Sequence, residues 1–326
     1  MKKNCTVIGA GQLGSRHLQG LLTYQQEALN IFILDPSSES LAFAKQRADE
    51  MDHIHSLIFT HSIQELPKQI EFVVIATNSK VRLEVMETLF QHTSVKYLIL
   101  EKVLFPDMEH YEKALGLIKQ NNVRCWVNHP RRMYEDYHKL KAVFDVSKTY
   151  TFQLVGASWG LACNGLHFID LFEFLTDAKL TTISNAMLDG QPIESKRSGY
   201  LEFDGTLLGT LNNKHTFSIT SLKNQEIIAP TLSIMTDDLR ILIQESGTPK
   251  VYFFKKERNF KMEVASFQVL FQSQLTGRLF AQIQTTGTCD LPSFEHASSS
   301  HQLFIESILN KWNKDTKTNN ILLPIT

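Results

Sequence analysis

The sequence predicts an α/β protein: an N-terminal Rossmann-type doubly wound parallel sheet, then a C-terminal α/β domain with an open, mostly antiparallel sheet. Three observations predict it. The early strand candidates are apolar along their whole length and alternate with amphipathic stretches, as a parallel sheet covered on both faces requires. A glycine-rich turn, Gly9-Ala10-Gly11-Gln12-Leu13-Gly14, joins the first strand to the first helix. In the second half, short β-type runs separated by turn signals replace that alternation. A chain of 326 residues has room for about two domains at roughly 100–200 residues each. The change of pattern puts them at 1–127 and 128–326.

The elements follow in order. Thr6 to Gly9 is a buried strand, and residues 12–27 carry Leu13, His17, Leu21 and Leu22 at helical spacing. Ile31 to Asp35 is a second strand, closed by Pro36-Ser37-Ser38, whose serines suit the cap of a helix through Leu41, Ala44 and Ala48. Residues 56–60, 71–77, 95–100 and 123–127 read as further strands, with helices over 80–92 and 107–120. In the second half a helix spans 164–175. Strands follow at 201–203, 207–211, 217–222, 231–235, 239–245 and 251–254, with Asp204-Gly205 and Ser246-Gly247 as turns. Residues 264–284 fit helix or strand, 298–313 read as a late helix, and Ile321 to Pro324 is an apolar tail.

Composition excludes several function classes. Hydrophobic residues make up 43% and charged residues 21%, a globular balance. With 33 Lys+Arg against 34 Asp+Glu there is no basic excess to track a phosphate backbone, so no nucleic-acid partner is expected. No apolar run reaches the ~18–20 residues a bilayer span needs, so no membrane partner is expected either. Lys2 and Lys3 precede an apolar stretch too short for a secretion signal. Cys5, Cys125, Cys163 and Cys289 are scattered without a C-x-x-C pair, which fits free thiols in a reducing cytoplasm and no metal site.

The glycine turn sits between a strand and a helix, and Asp35 ends the next strand 21 residues after Gly14. That is the context of a dinucleotide-binding turn. Gly9 permits the tight turn, Gly11 lets backbone approach a pyrophosphate, and Gly14 lets helix pack on strand. The helix N-terminus offers N–H groups and a partial positive charge to the anion. Asp35 would accept hydrogen bonds from ribose hydroxyls and repel a 2′-phosphate, favouring NAD over NADP. The alternative is a plain loop with Asp35 as a helix cap. Thr77-Asn78 and Glu101-Lys102 follow two further strands, where ligands of such sheets bind. Lys102 could steady an alkoxide; alone, a Glu-Lys pair is more often a surface ion pair.

Together the residues resemble the glucose–fructose oxidoreductase/inositol dehydrogenase (Gfo/Idh/MocA) family over nearly the whole chain. The resemblance rests on Gly9 to Gly14, Asp35, Thr77-Asn78, Glu101-Lys102, Asn128-His129-Pro130-Arg131-Arg132 and Gly165 to Leu171. It implies a Rossmann domain that binds NAD through Gly9, Ala10, Gly11, Gln12, Leu13, Gly14, Asp35, Thr77, Asn78, Glu101 and Lys102. It also implies a second domain whose open sheet makes a homodimer or homotetramer. Activity would be NAD(P)-dependent oxidation or reduction of a hydroxyl carbon on a sugar or nucleotide-activated sugar. Lys102 and His167 fall on the family's catalytic Lys and His. Val103 stands where the family has the proline of a cis-type turn, Arg82 where a His is common, and Cys163 where an Asp often lies four residues before the His.

The expected chemistry makes His167 the proton acceptor and Lys102 the group that holds the same oxygen. Asn164, Cys163 and Asn128 are substrate-binding candidates, and Arg131 or Arg132 would take an anionic group. A lone His in an apolar helix is otherwise a hydrogen-bonded core residue, and an Arg pair opening a helix is otherwise an exposed face. A neutral thiol at 163 cannot raise imidazole basicity as a carboxylate does. The reading therefore spans an oxidoreductase, loosely linked to bacterial surface-sugar pathways, and a retained-cofactor epimerase. It extends to a non-catalytic NAD-binding sensor and to glycoside cleavage through a keto intermediate.

Overall fold

The computed structural model describes residues 2–224 and 226–326. The chain forms two compact units, Met1–Pro130 with Leu270–His296, and Arg131–Val269 with Ala297–Thr326.

The first unit is built on six strands: β1 (Asn4–Ile8), β2 (Asn30–Leu34), β3 (Ser56–Thr60), β4 (Gln69–Ile75), β5 (Ser94–Leu100) and β6 (Arg124–Val127). They lie in the order β3-β2-β1-β4-β5-β6, all parallel. The order reverses between β1 and β4, which is the switch point where such sheets bind ligands. Phe72 to Ile75 of β4 are fully buried, each contributing about 1.5–3 kcal/mol of burial. The crossovers carry α1 (Gln12–Leu22), α2 (Ser38–Asp49), α3 (Arg82–His92) and α4 (Glu109–Gln120). Ser37 caps α2 by accepting the Ser40 N–H, as expected from the sequence. The helix expected to run to residue 27 ends at Leu22.

Residues 270–296 return to this unit. The stretch that fitted helix or strand resolves into a strand end, a 3-10 turn at Gln272–Gln274 and a helix at Thr276–Thr286. That turn and helix pack on α1, where a Cβ on Gly20 would come within 2.8 Å of the Gln272 carbonyl oxygen. Gln272 and Thr276 are thereby set against α1.

The second unit holds α5 (Glu135–Lys141), β7 (Thr151–Ala157), α6 (Leu161–Thr176), β8 (Leu180–Leu188), β9 (Ile193–Glu194), β10 (Leu201–Glu202), β11 (Gly205–Leu211) and β12 (His215–Leu222). It continues through β13 (Ile228–Met235), β14 (Leu239–Gln244), β15 (Lys250–Lys255) and β16 (Met262–Ser266). Eight of these strands form a sheet in the order β16-β15-β14-β13-β7-β12-β11-β8. Its β7–β12 pair is parallel and the other pairs are antiparallel. β7, β8 and β9 go beyond the strands expected from sequence, and β16 overlaps the start of the stretch that fitted helix or strand; β7 lies at the larger sheet's middle.

Alternation decides which face is buried. Phe152, Leu154, Phe217, Ile219, Leu232 and Ile234 point inward, and Phe172 of α6 stacks on Phe152 at 4.5 Å between ring centroids. The other face leaves Val155, Leu208 and Leu242 exposed among Thr and Ser. The apolar tail packs into this unit: Leu323 and Ile325 are buried, and Leu201 N–H donates to the Pro324 carbonyl. Among the described residues, no helix is long and apolar enough to cross a membrane.

Candidate functional site

The glycine turn in the first unit is built as a cradle. A Cβ on Gly14 would sit 1.6 Å from the Gly9 carbonyl oxygen, so only glycine lets α1 start this close to β1. A Cβ on Gly11 would meet nothing within 4 Å, so the space above it is open. Gly11 is also the N-cap of α1, and no side chain caps the helix there among the described residues. Its first N–H groups are left to an anion. Asp35 ends β2 with its carboxylate already oriented: Oδ2 accepts the Ala10 N–H at 2.7 Å and Oδ1 the Ser37 N–H at 2.8 Å. Each oxygen keeps a lone pair for a hydroxyl.

Thr77 and Asn78 follow β4. Thr77 Oγ1 is buried with no hydrogen-bond partner among the described residues, and Asn78 Oδ1 accepts the Lys80 N–H. The helix expected from residue 80 starts at Arg82, whose buried guanidinium holds two loops together. Nη2 donates to the Thr77 carbonyl, and Nη1 to the carbonyls of Val103 and Leu104. Lys102 lies between these anchors, half-buried, and the Lys102–Val103 peptide is cis.

Glu101, which ends β5, turns away from solvent. His17 Nε2 lies 2.7 Å from its Oε1, Asn128 Nδ2 donates to the same oxygen, and the Lys102 N–H donates to Oε2 at 3.2 Å. Burial pushes the Glu101 carboxyl up, but His17, by hydrogen bond and by charge, the Asn128 hydrogen bond and the charge of Lys102 outweigh it and hold it below its ordinary value. Asn128 Oδ1 is buried without a hydrogen-bond partner among the described residues.

In the second unit, α6 carries Cys163, Asn164 and His167. Apart from its last residue, these are the helix's three positions not buried, and their spacing puts them on one face. Asn164 Nδ2 donates to the Trp159 carbonyl at 3.0 Å. Glu202 of β10 caps the helix, accepting the Ala162 and Cys163 N–H groups at 2.9 and 3.1 Å. Burial raises its carboxyl above the ordinary value, and hydrogen bonds from the Cys163 thiol and these N–H groups only partly offset that. Arg131 and Arg132 stand in a 3-10 turn before α5 and hold carboxylates of their own unit. Arg131 pairs with Glu245 and lies 4.1 Å over the Phe168 ring; Arg132 Nε reaches Asp170 at 2.9 and 3.0 Å.

Comparison with known proteins shows what the chain is similar to. A family model described as an oxidoreductase family with an NAD-binding Rossmann fold matches residues 3–129. The match is a likeness to that family over residues 3–129. No curated protein sequence matches the chain. Solved structures are similar along its length. UDP-N-acetylglucosamine 3-dehydrogenase GnnA from Acidithiobacillus ferrooxidans is 16% identical with a TM-score of 0.68, covering 94% of this chain and 97% of its own. Scyllo-inositol dehydrogenase from Lactobacillus casei, with bound NAD(H) and scyllo-inositol, is 15% identical with a TM-score of 0.69, covering 97% and 98%. The transcriptional regulator Gal80p from Kluyveromyces lactis is 15% identical with a TM-score of 0.71, covering 98% and 94%. At such identities the likeness is one of fold.

The cradle fits a dinucleotide: an open anion site, an oriented carboxylate and a buried hydroxyl without a partner among the described residues occupy three neighbouring strand ends. The structure brings Gly9 to Gly14, Asp35, Thr77, Asn78, Glu101, Lys102 and Asn128 together in the first unit, and Cys163, Asn164, His167, Arg131 and Arg132 in the second. Sequence reasoning missed Arg82 as a loop anchor, His17 and Gln272 around Glu101, Glu202 under α6 and Glu245 on Arg131. His17 alone gave a signal, a polar residue on an otherwise apolar helix face.

Proposed function

We propose that this protein is an NAD-dependent oxidoreductase acting on a hydroxyl carbon of a sugar or nucleotide-activated sugar. The observation that carries the reading is the cradle of Gly11, Asp35 and Thr77 beside the Lys102 strand end. NAD, when bound, supplies a hydride acceptor or, reduced, a donor. Gly9 to Gly14 and the α1 N-terminus bind its pyrophosphate, and Asp35 takes the ribose hydroxyls, which supports NAD over NADP. Lys102 gives its ammonium to the substrate oxygen and steadies charge there. His167 takes or returns the hydroxyl proton, and Asn164 and Cys163 share its helix face. Arg131 and Arg132, each spent on a carboxylate, serve the unit's stability before they serve a substrate. The exposed face of the eight-stranded sheet supports assembly into a symmetric dimer or tetramer.

One residue favours a second reading, an NAD-binding regulator without turnover. Cys163 stands where the resembled family often has a carboxylate on this helix, and its thiol donates to Glu202.

The test is absorbance at about 340 nm with NAD and a panel of free, UDP-linked and CMP-linked sugars. A rise that Lys102→Ala abolishes is the expected result. NAD binding without a rise for any sugar would remove the simple dehydrogenase and leave the regulator and the retained-cofactor epimerase.

A further inference from the structure

Gln12 is the first residue of α1, next to Gly11, where the cradle is open. Side chains lean toward the N-terminal end of their helix, so the Gln12 amide stands at the anion end. Its oxygen is already taken. Arg47, in the last turn of α2, donates from Nη2 to Gln12 Oε1 at 2.9 Å. Nη1 of the same guanidinium donates to the Gln12 carbonyl at 2.9 Å and to Ser15 Oγ at 2.7 Å. A guanidinium only donates, so the amide atom that faces it is the oxygen and the nitrogen is turned from it. Gln12 is exposed, and its Nε2 has no hydrogen-bond partner among the described residues.

Arg47 is held at its other end as well. The guanidinium carbon lies 4.2 Å over the Phe43 ring, and the Arg47 carbonyl accepts Gln19 Nε2 at 3.1 Å. Gln19 Oε1 in turn accepts Arg16 Nη1 at 2.8 Å. The charges around this latch are short of an anion. A cation beside the first turn of a helix opposes its dipole. Neither Arg16 nor Arg47 has an ion pair with a carboxylate among the described residues. Burial first, then the charge of Arg16, bring Arg47 below its ordinary value, and Glu50 gives back less than Arg16 takes. A pyrophosphate on the first N–H groups of α1 supplies the missing negative charge.

We propose that Arg47 is a positioning residue: its guanidinium latches the Gln12 oxygen, so that the Gln12 Nε2–H group serves as a side-chain donor to the pyrophosphate of the bound dinucleotide. This rests on the NAD-binding reading above, and it extends the phosphate site from the main chain of α1 to a residue of α2. A hydrogen bond to a charged oxygen changes affinity by about tenfold.

The test uses the full chain. Dissociation constants for NAD, ADP and adenosine are measured by calorimetry for the wild type, Gln12→Ala, Arg47→Met, Arg47→Lys and the double variant Gln12→Ala with Arg47→Met. Gln12→Ala and Arg47→Met should each weaken NAD and ADP about tenfold and leave adenosine, which has no phosphate, unchanged. Because one residue acts through the other, the double variant should fall well short of the roughly hundredfold loss that independent sites would give. Arg47→Lys keeps the charge without the fork and should lose most of the same affinity, which decides the matter where Arg47→Met does not fold. Gln12→Ala with wild-type ADP affinity, Arg47→Lys with full affinity, a double variant weakened about a hundredfold, or adenosine weakened as much as ADP would each overturn the inference and leave the NAD-binding reading intact. A wild type that binds neither NAD nor ADP would overturn the NAD-binding reading itself, and this inference with it.

Discussion

Arg131 donates to Glu245 through two nearly parallel bonds, Nε to Oε1 at 2.9 Å and Nη2 to Oε2 at 2.5 Å. Tyr137 adds its hydroxyl to the same carboxylate at 2.6 Å. Burial alone would lower the Arg131 value, yet Glu245 outweighs it and raises it. The guanidinium fork is thus filled from within its own unit. Glu245→Gln should lower the stability of the unit by about 2 kcal/mol, somewhat less than for a fully buried pair because both side chains keep 17% exposure. Cofactor affinity should not change. Urea unfolding followed by tryptophan fluorescence measures the first and calorimetry the second; a variant as stable as the wild type would show that the pair holds nothing.

Arg82 makes a stronger claim on stability. It is 1% exposed, and its partners are main-chain carbonyls on both sides of the site. Arg82→Met keeps much of the volume and leaves those carbonyls without their donor, at ~1–3 kcal/mol for each one left buried. A loss on the order of 3 kcal/mol is expected, with NAD affinity reduced as well. Arg82→Lys should recover only part, since an ammonium cannot span the fork. Thermal unfolding of the cofactor-free protein decides it; an unshifted midpoint in Arg82→Met would refute the anchoring role.

What the sequence disclosed and what it hid divide along contact distance. The glycine turn and Asp35 were legible because a strand, a turn and a helix fix them within one short stretch, and the helix face of Cys163, Asn164 and His167 because helical spacing alone sets it. Arg131 and Arg132 looked like ligand-binding cations because their carboxylates come from remote positions, Glu245 being 114 residues away. Gln272 reaches His17 across 255 residues, and no local pattern marks such a pair. β7 escaped notice although Phe152 and Leu154 alternate with Gln153 and Val155, since a strand lying between two others is defined by its partners as much as by its own residues.

Asp35 should govern cofactor choice. Its two oxygens are held by the Ala10 and Ser37 N–H groups, so the carboxylate is oriented before any ligand arrives. Asp35→Ser removes charged hydrogen bonds to ribose hydroxyls, each ~1.5–3 kcal/mol, and should weaken NAD roughly 10–100-fold. It also removes the repulsion of a 2′-phosphate, so the NADP-to-NAD affinity ratio should rise. Calorimetric titration of both cofactors into both proteins measures this, and an unchanged ratio would dismiss Asp35 as the selector.

Glu202 gives a pH dependence whose sign follows from its surroundings. Burial raises its carboxyl above the ordinary value, and the Cys163 thiol and the Ala162 and Cys163 N–H groups do not cancel that. The folded protein therefore binds this proton more tightly than the unfolded chain does. The contribution to stability is greatest below the unfolded value of ~4.3 and is lost as pH rises through the higher folded value. Glu202→Gln keeps an acceptor for the helix N-terminus and has no proton to lose. Its stability relative to the wild type should accordingly improve between about pH 5 and about pH 8. Urea unfolding of both proteins at the two pH values reads the difference directly. A gap that stays constant, or moves toward the wild type at the higher pH, would mean that the carboxylate is better satisfied at the head of α6 than its burial implies.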